Sequence, residues 1–355
     1  MRLFARFGII IRPQGGETGL NRRKEGLLDF NETNRKKEKK KKAAEQSGES
    51  FIMKPKKKRV WILILILGLA ALSGVLAFIV ARSNNQLRVT DVVVSDEQVP
   101  EKFDGFRILQ LSDFYGKTFG KENHRLTELV ATLDFDIVLL TGDFLDAARN
   151  PDSFAPVERL LEKFSELEKP VYYVLGENDV DPPEKEREGW MRCIENTSGN
   201  PVASRLEAYG AKCVYPLTVI ERGNERIFLT GINYYEKLFD SYEFDSDKDF
   251  SICVTHAPVD YDVDKRLATV NRSGFREVDF DLSISGHTLG GQYRLPLLKT
   301  LYLEGRGLFP QEEFAYGLHK AQGRCSFITA GLGVRSGFRL CNKPEVAIIE
   351  LRRLS

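Results

Sequence analysis

The chain has 355 residues, enough for one large α/β domain of about 250 residues with additional segments. It carries 52 basic and 51 acidic residues, but the first sixty residues are basic and the remainder is acidic on balance. The near-neutral total therefore excludes little about partners. Five cysteines (Cys193, Cys213, Cys253, Cys325 and Cys341) form no CxxC or other close pair, so neither a zinc ribbon nor a dithiol redox motif is indicated and the expected state is buried free thiols.

Residues 1–59 form a basic N-terminal segment. Its stretch "NRKKEKKKKAAEQ" repels itself and offers no core, which predicts disorder. Met53 is an alternative start, because the chain from there reads as the opening of a membrane-anchored protein. Residues 60–81, "VWILILILGLAALSGVLAFIVA", contain no charge, Pro, Asn or Gln. At about 1.5 Å per residue the run spans about 33 Å, which matches a hydrocarbon core of roughly 30 Å and predicts a transmembrane helix. A cleaved signal peptide is the alternative, but the run is long for one and no A-x-A site follows. The preceding "MKPKKKRV" could pass for a nuclear localisation signal. Abutting a hydrophobic span, it is a topology signal that places the N-terminus in the cytoplasm and the long C-terminal part outside. A nucleic-acid partner would rest on the lysine run alone and is not expected, since anionic lipid head groups account for that run.

Residues 82–105 read as a polar tether, "RSNNQ", and a first strand, "LRVTDVVV". From residue 106 to 355 apolar strands alternate with helical stretches. The strands are "FRILQL", "DIVLLT", "VYYVL", "RIFLTGI", "FSICVT", "DLSISG", "SFITAG" and "EVAIIEL"; the helices cover 122–132, 153–167 and 203–209. Strand–helix alternation predicts an α/β fold, and the later strands without helices between them predict a mixed sheet.

Polar groups gather where these strands end. Asp113 follows "LQLS", Asp143 and Asp146 follow "LLTG", and Glu177, Asn178 and Asp179 follow "YVLG". His256 lies in "CVTHAP" and His287 in "SGHTLGGQYRLP". Each alone reads as a turn residue, helix cap or structural histidine. Together, in this order at the carboxyl ends of strands, they form a candidate metal constellation.

On these motifs, with "FDGFRILQLSD", "DIVLLTGDFLD" and "AGLGVRSGFRLCNKPEVAIIEL" in the same order, the chain from about Leu87 to Leu351 resembles the calcineurin-like metallophosphoesterases. It looks most like their membrane-anchored bacterial branch, related to the UDP-2,3-diacylglucosamine hydrolases of lipid A synthesis. The resemblance implies an α/β fold, a sandwich of two mixed β-sheets flanked by helices, here with one N-terminal transmembrane helix. It also implies metal-assisted hydrolysis of phosphate esters or anhydrides. In such a reaction two cations about 3.5–4 Å apart polarise the phosphoryl oxygens and hold a hydroxide.

Carried over residue by residue, the family's D-x-H motif falls on Asp113 and Tyr115, with the histidine replaced. GDxx(D/N) falls intact on Gly142, Asp143 and Asp146, with Asp143 the bridging carboxylate. GNH(D/E) falls on Gly176, Glu177, Asn178 and Asp179, so its ligand Asn is Glu and its catalytic His is Asn. A one-residue shift there would instead make Asn178 the amide ligand and put Asp179 at the catalytic position. The later single His is His256, and GHxH falls on Gly286, His287, Thr288 and Leu289, with the second His lost.

The resemblance thus implies metal ligands Asp113, Asp143, Glu177, His256 and His287. It implies catalytic positions at Asn178 and Asp113, supporting roles for Asp146 and Asp179, and altered positions at Tyr115 and Leu289. One site would use Asp143, Glu177, His256 and His287. The other keeps only Asp113 and Asp143, since Leu cannot ligate and a phenol with an ordinary pKa of about 10 is a poor ligand for Mn, Zn or Mg. The expected cofactor is a divalent metal ion (Mn, Zn, Mg or Fe), one ahead of two, with none the alternative. His124, on a predicted helix, is expected to be exposed and His319 to be a surface or structural residue. The expected function is a membrane-tethered phosphoesterase with a reduced site, acting on a phosphorylated or lipid-linked substrate near the bilayer. The alternative is an inactive relative that keeps the fold as a binding or scaffold domain.

Overall fold

The computed structural model describes residues 55–180, 199–215, 217–231, 248–258, 280–303, 306–321 and 324–354, with a few isolated positions besides. The basic stretch before residue 55, including Met53 and most of the segment expected to be disordered, lies outside the described residues, as does Cys193.

Helix α1 covers Pro55–Asn85. No proline follows its first residue, and its large apolar side chains from Val60 to Phe78 lie on every face and are more than half exposed. A helix apolar all round, over a length that can cross a bilayer, is suited to lipid rather than to a protein core. Residues 57–85 meet that length and hydropathy requirement, and among the described residues no other helix does.

The α/β portion is built on two six-stranded sheets. The strands are β1 (Arg88–Asp96), β2 (Arg107–Leu111), β3 (Ile137–Thr141), β4 (Val171–Val174), β5 (Lys212–Cys213) and β6 (Leu217–Arg222), followed by β7 (Glu225–Thr230), β8 (Ser251–Val254), β9 (Leu282–Ser285), β10 (Gly317–Ala321), β11 (Arg324–Ile328) and β12 (Glu345–Arg353). The first sheet has the order β1-β12-β2-β3-β4-β5 and the second β10-β11-β9-β8-β7-β6. Both are mixed: β2, β3, β4 and β5 run parallel, whereas β12 is antiparallel to β2 and parallel to β1. In the second sheet β7, β8, β9 and β11 run parallel, with β6 and β10 antiparallel at the edges. The α/β fold expected from the strand pattern, and the two mixed sheets that the resemblance implies, are the ones observed.

The two-residue side-chain period of a strand sorts the core into two layers. Ile108, Ile137, Leu139, Val174, Ile252 and Ile284 belong to the cluster between the sheets. Their sequence neighbours Leu109, Val138, Leu140 and Tyr173 face the other way. There they meet Leu126 and Val130 of helix α2 (His124–Ala131), Leu160, Leu161 and Phe164 of α3 (Ala155–Glu166), and Val202 and Leu206 of α4 (Pro201–Ala208). Central strands buried on both faces read as continuous apolar runs, which is why they were legible. This packing brings the carboxyl ends of β2, β3 and β4 and those of β8 and β9 to one shared rim. Four cysteines are free thiols, with Cys253 and Cys325 buried, Cys213 partly buried and Cys341 exposed, so the last departs from the expected burial.

Candidate metal centre

The loops leaving these strands are forced into tight turns. Asp113, Tyr115, Asp143, His287 and Leu289 all adopt left-handed backbone, with φ of 53°, 48°, 57°, 68° and 53°. For Tyr115 and Leu289 this costs about 1–3 kcal/mol each, and such strain concentrates at functional sites. The glycines beside them permit the close approach. A Cβ on Gly142, itself at φ +87°, would lie 2.5 Å from the Gly176 nitrogen and 2.9 Å from His256 Nδ1. One on Gly286 would lie 2.5 Å from Asp113 Oδ2.

The result is a buried cluster in which single ligand atoms of Asp113, Asp143 and His256 lie within 4.8 Å of one another. His256 comes from the second sheet and the two carboxylates from the first. His256 Nδ1 is 2.7 Å from the carbonyl oxygen of Thr141, which can only accept, so Nδ1 carries a proton. Nε2 is thereby aimed at Asp143 Oδ2, 3.3 Å away, an ion-pair contact without a formed hydrogen bond. This is the tautomer a metal-ligating imidazole requires.

The two carboxylates are equally buried but differently served. Asp143 accepts from the Asn178 backbone nitrogen (2.9 Å), the Asn178 side-chain amide (2.8 Å) and the Tyr115 hydroxyl (2.5 Å). Burial alone would raise its pKa; the charge and contact of His256 outweigh that, and the carboxyl is held well below its usual range. Asp113 accepts from the His287 backbone nitrogen, at 3.0 and 3.1 Å to its two oxygens. Burial pushes its pKa up to about 6 despite the nearby His256 charge. His256 is the mirror case: burial lowers it, but Asp143 and Asp113 raise it to about 10. His287, its ring 5.1 Å from that of His256, is pushed down to about 4 by burial and then by the His256 charge. Tyr115 is raised far above the ordinary phenol value, by burial first and by Asp143 next, so it remains a neutral donor.

The other expected residues stand further out. Glu177 turns away from the cluster and pairs with Arg335, Oε1 to Nη1 at 2.9 Å. Asn178 is buried against Asp143. Asp179 is a backbone clamp, accepting from the nitrogens of Gly176, Asp143, Phe144 and Leu145, and burial raises its pKa to about 7. Asp146 closes its own loop by accepting from the Asn150 nitrogen. Leu289 is buried, and its carbonyl accepts from Asn342. His124 is an exposed helix residue 3.6 Å from Glu128, and His319 lies in β10 with Nε2 2.7 Å from the Tyr316 carbonyl.

Sequence reasoning used the loop after β11 as a family signature but gave none of its residues a role at the site. Its Gly333 nitrogen donates to the Asp113 carbonyl (2.6 Å) and its Leu332 nitrogen to that of Ser112 (3.0 Å). Glu345, wholly buried, anchors the loop's start by accepting from the Ala330 nitrogen, Thr329, Tyr316, Thr90 and Arg88. The loop delivers Arg335 to a cleft of about 400 Å³, whose lining includes Tyr115, Glu177, His287, Leu289 and Tyr302.

A buried pair of carboxylates facing an imidazole Nε2 is a donor set for a divalent cation. Residues 106–291 match the family model described as calcineurin-like phosphoesterase, over half of the chain. The chain belongs to the calcineurin-like phosphoesterases. It is 25% identical over 75% of its length to a transmembrane protein with metallophosphoesterase domain from Danio rerio, spanning 57% of that protein. It is 27% identical over 76% of its length to the uncharacterized metallophosphoesterase YkoQ of Bacillus subtilis, covering 92% of it. A shorter match, 38% identical over 21% of this chain, relates it to the phosphodiesterase YaeI of Escherichia coli, of which 27% is covered. The chain thus comes from a metal-dependent family, and among the described residues Asp113, Asp143 and His256 fit a metal.

Proposed function

We propose that the chain is a membrane-tethered phosphoesterase working with a reduced, one-metal site. The observation that carries this reading is the convergence of Asp113, Asp143 and His256 below a cleft at the shared strand rim. These three residues would hold the ion. When bound, a divalent cation polarises a phosphoryl oxygen and lowers the pKa of water at the site.

The chain's own residues do the rest. Tyr115 and Asn178 fix the Asp143 carboxylate by donating to it. Thr141 fixes the His256 tautomer. His287, neutral at pH 7, lines the cleft without adding charge. Asn178 replaces the imidazole expected at its motif position, so no second titratable base stands there. The lysine-rich flank of the apolar helix favours an N-terminus in the cytoplasm and the phosphoesterase domain outside. A helix that holds the domain at a bilayer favours a phosphorylated or lipid-linked substrate presented at that surface.

The experiment is metal analysis of the full chain in detergent, together with hydrolysis of bis(p-nitrophenyl) phosphate. One equivalent of metal and a turnover lost in Asp143→Asn are expected. Absence of stoichiometric metal sinks the reading. The second reading, a scaffold that has lost turnover, is favoured by one observation. Tyr115 and Asn178 already satisfy Asp143 with protein donors, so the carboxylate has partners without an ion. Metal-independent folding with no turnover would support it.

A further inference from the structure

We propose that Arg335 holds the substrate's phosphate in the cleft, and that Glu177 is its resting counter-ion, displaced when that phosphate enters. This rests on the reading of the site as a phosphoesterase and gives a role to a residue that the carried-over metal and catalytic motifs do not include.

Three observations carry it. Arg335 and Glu177 both line the cleft that also exposes His287 and Tyr115, and their side chains meet at 2.9 Å while staying 43% and 23% exposed. The pair is therefore a hydrated, exchangeable contact rather than a buried structural bridge. Next, Arg335 is held on the same rigid piece as the metal cluster. Two residues before it, Gly333 donates to the Asp113 carbonyl, and a Cβ on Gly333 would lie 2.2 Å from the Phe114 carbonyl oxygen. On the other side, Arg149 Nη2 donates to the Glu177 carbonyl at 3.1 Å and anchors the acidic partner's backbone. Both members thus have fixed main chains and free tips.

Charge supplies the third argument. Glu177 lines the cleft and the buried Asp113 and Asp143 lie near its wall, so the approach is acidic, and the motif position that carries an imidazole in the family carries Asn178 here. One metal ion, facing the carboxylates of Asp113 and Asp143, leaves a phosphate short of a cation. A guanidinium presents a planar fork that matches phosphate oxygens two at a time. A phosphomonoester or inorganic phosphate, of charge about −1.5 to −2, offers this fork more charge than a single carboxylate does. The switch of partner also turns the Glu177 carboxylate out of the path of the entering anion.

The test uses the full chain in detergent micelles and inorganic phosphate as probe, titrated calorimetrically with and without Mn²⁺. Mn²⁺ binding is measured first in every variant, and thermal unfolding confirms that each folds. Arg335→Ala should weaken phosphate binding by about tenfold to a hundredfold, the equivalent of one charge-assisted contact, with Mn²⁺ affinity unchanged. Arg335→Lys should recover part of that loss, because charge returns without the fork. Glu177→Gln should tighten phosphate several-fold by removing the competitor. The proposal is overturned if Arg335→Ala binds phosphate as tightly as the unaltered chain, if the unaltered chain binds none, or if Glu177→Gln weakens binding. A chain that takes up no Mn²⁺ but shows the Arg335 dependence would sink the one-metal reading and leave this one standing.

Discussion

Asp113 and Asp143 invite comparison because so much about them is equal. Each follows a central parallel strand of the same sheet, each adopts left-handed backbone, and each is fully buried. They differ in what serves them. Asp143 has the Asn178 nitrogen and amide, the Tyr115 hydroxyl and the His256 imidazole, and it stays ionised deep into acid. Asp113 has the His287 nitrogen across both oxygens, and burial drives its pKa up to about 6. Placement at a strand end therefore does not set a carboxylate's chemistry; the donors around it do. Asp143 is an anion already compensated by protein donors, whereas Asp113 is an under-compensated one that a cation would relieve.

The largest effect should come from attacking the better-served member. Asp143→Asn leaves His256 buried with its main counter-charge gone, and breaking a buried pair this way costs about 3–5 kcal/mol. Turnover and metal uptake should fall by at least a hundredfold, read by p-nitrophenol release and metal analysis. An effect on both of less than about threefold would place the chemistry elsewhere.

Next in size is a pH dependence that pits metal against proton. At pH 7 the metal-free His256, at about 10, is protonated on the nitrogen that must ligate, while Asp113 is mostly ionised. Metal binding must expel one proton from His256. Affinity should therefore rise about tenfold per pH unit between about 6 and 10, and more steeply below 6, where Asp113 must lose a proton too. Calorimetry in buffers of different ionisation heat would count the proton, and an affinity flat from pH 6 to 9 would refute the coupling.

A third test restores what the comparison lacks. Tyr115→His with Leu289→His returns imidazoles to the two altered positions. Metal content should rise from one to two equivalents, and turnover by about tenfold or more. Content that stays at one would mean that the strained loops no longer place those positions for a second ion.

How much of this was legible beforehand follows from where the information lies. The central strands and helices α2, α3 and α4 could be read because they are apolar on a regular period. Edge strands β5, β6 and β10 were missed: β5 is two residues long, β6 is only partly buried and β10 carries Gly317, His319 and Lys320, so none shows a clean apolar run. Residue types at the site were legible from their placement after strands. Side-chain direction was not. Whether Glu177 or Asn178 meets Asp143 depends on one tight turn, and the structure puts Asn178 on the carboxylate and Glu177 on Arg335. Arg335 itself lies in a loop with no periodic signal, held by carbonyl contacts that its side-chain chemistry does not announce.

The smallest effect is the most discriminating, because it has opposite signs for the two carboxylates. Asp113 has a folded-state pKa of about 6 against an ordinary 3.8, so the folded protein binds its proton more tightly than the unfolded chain does. Its charge therefore weakens the fold above about pH 6, and the penalty disappears below about pH 4, where both states are protonated. In chelator at pH 7.5, Asp113→Asn should raise stability by about 1–3 kcal/mol, a shift of a few degrees in Tm, with no gain near pH 4. The same substitution should weaken Mn²⁺ binding by about tenfold or more. Asp143→Asn, by contrast, should lower Tm and weaken metal together. A gain of fold with a loss of metal is what a binding carboxylate predicts, since its cost in the empty protein is repaid only by a cation. If Asp113→Asn instead lowers Tm at pH 7.5, Asp113 is an anchor of the loop like Asp143, and the contrast between them collapses.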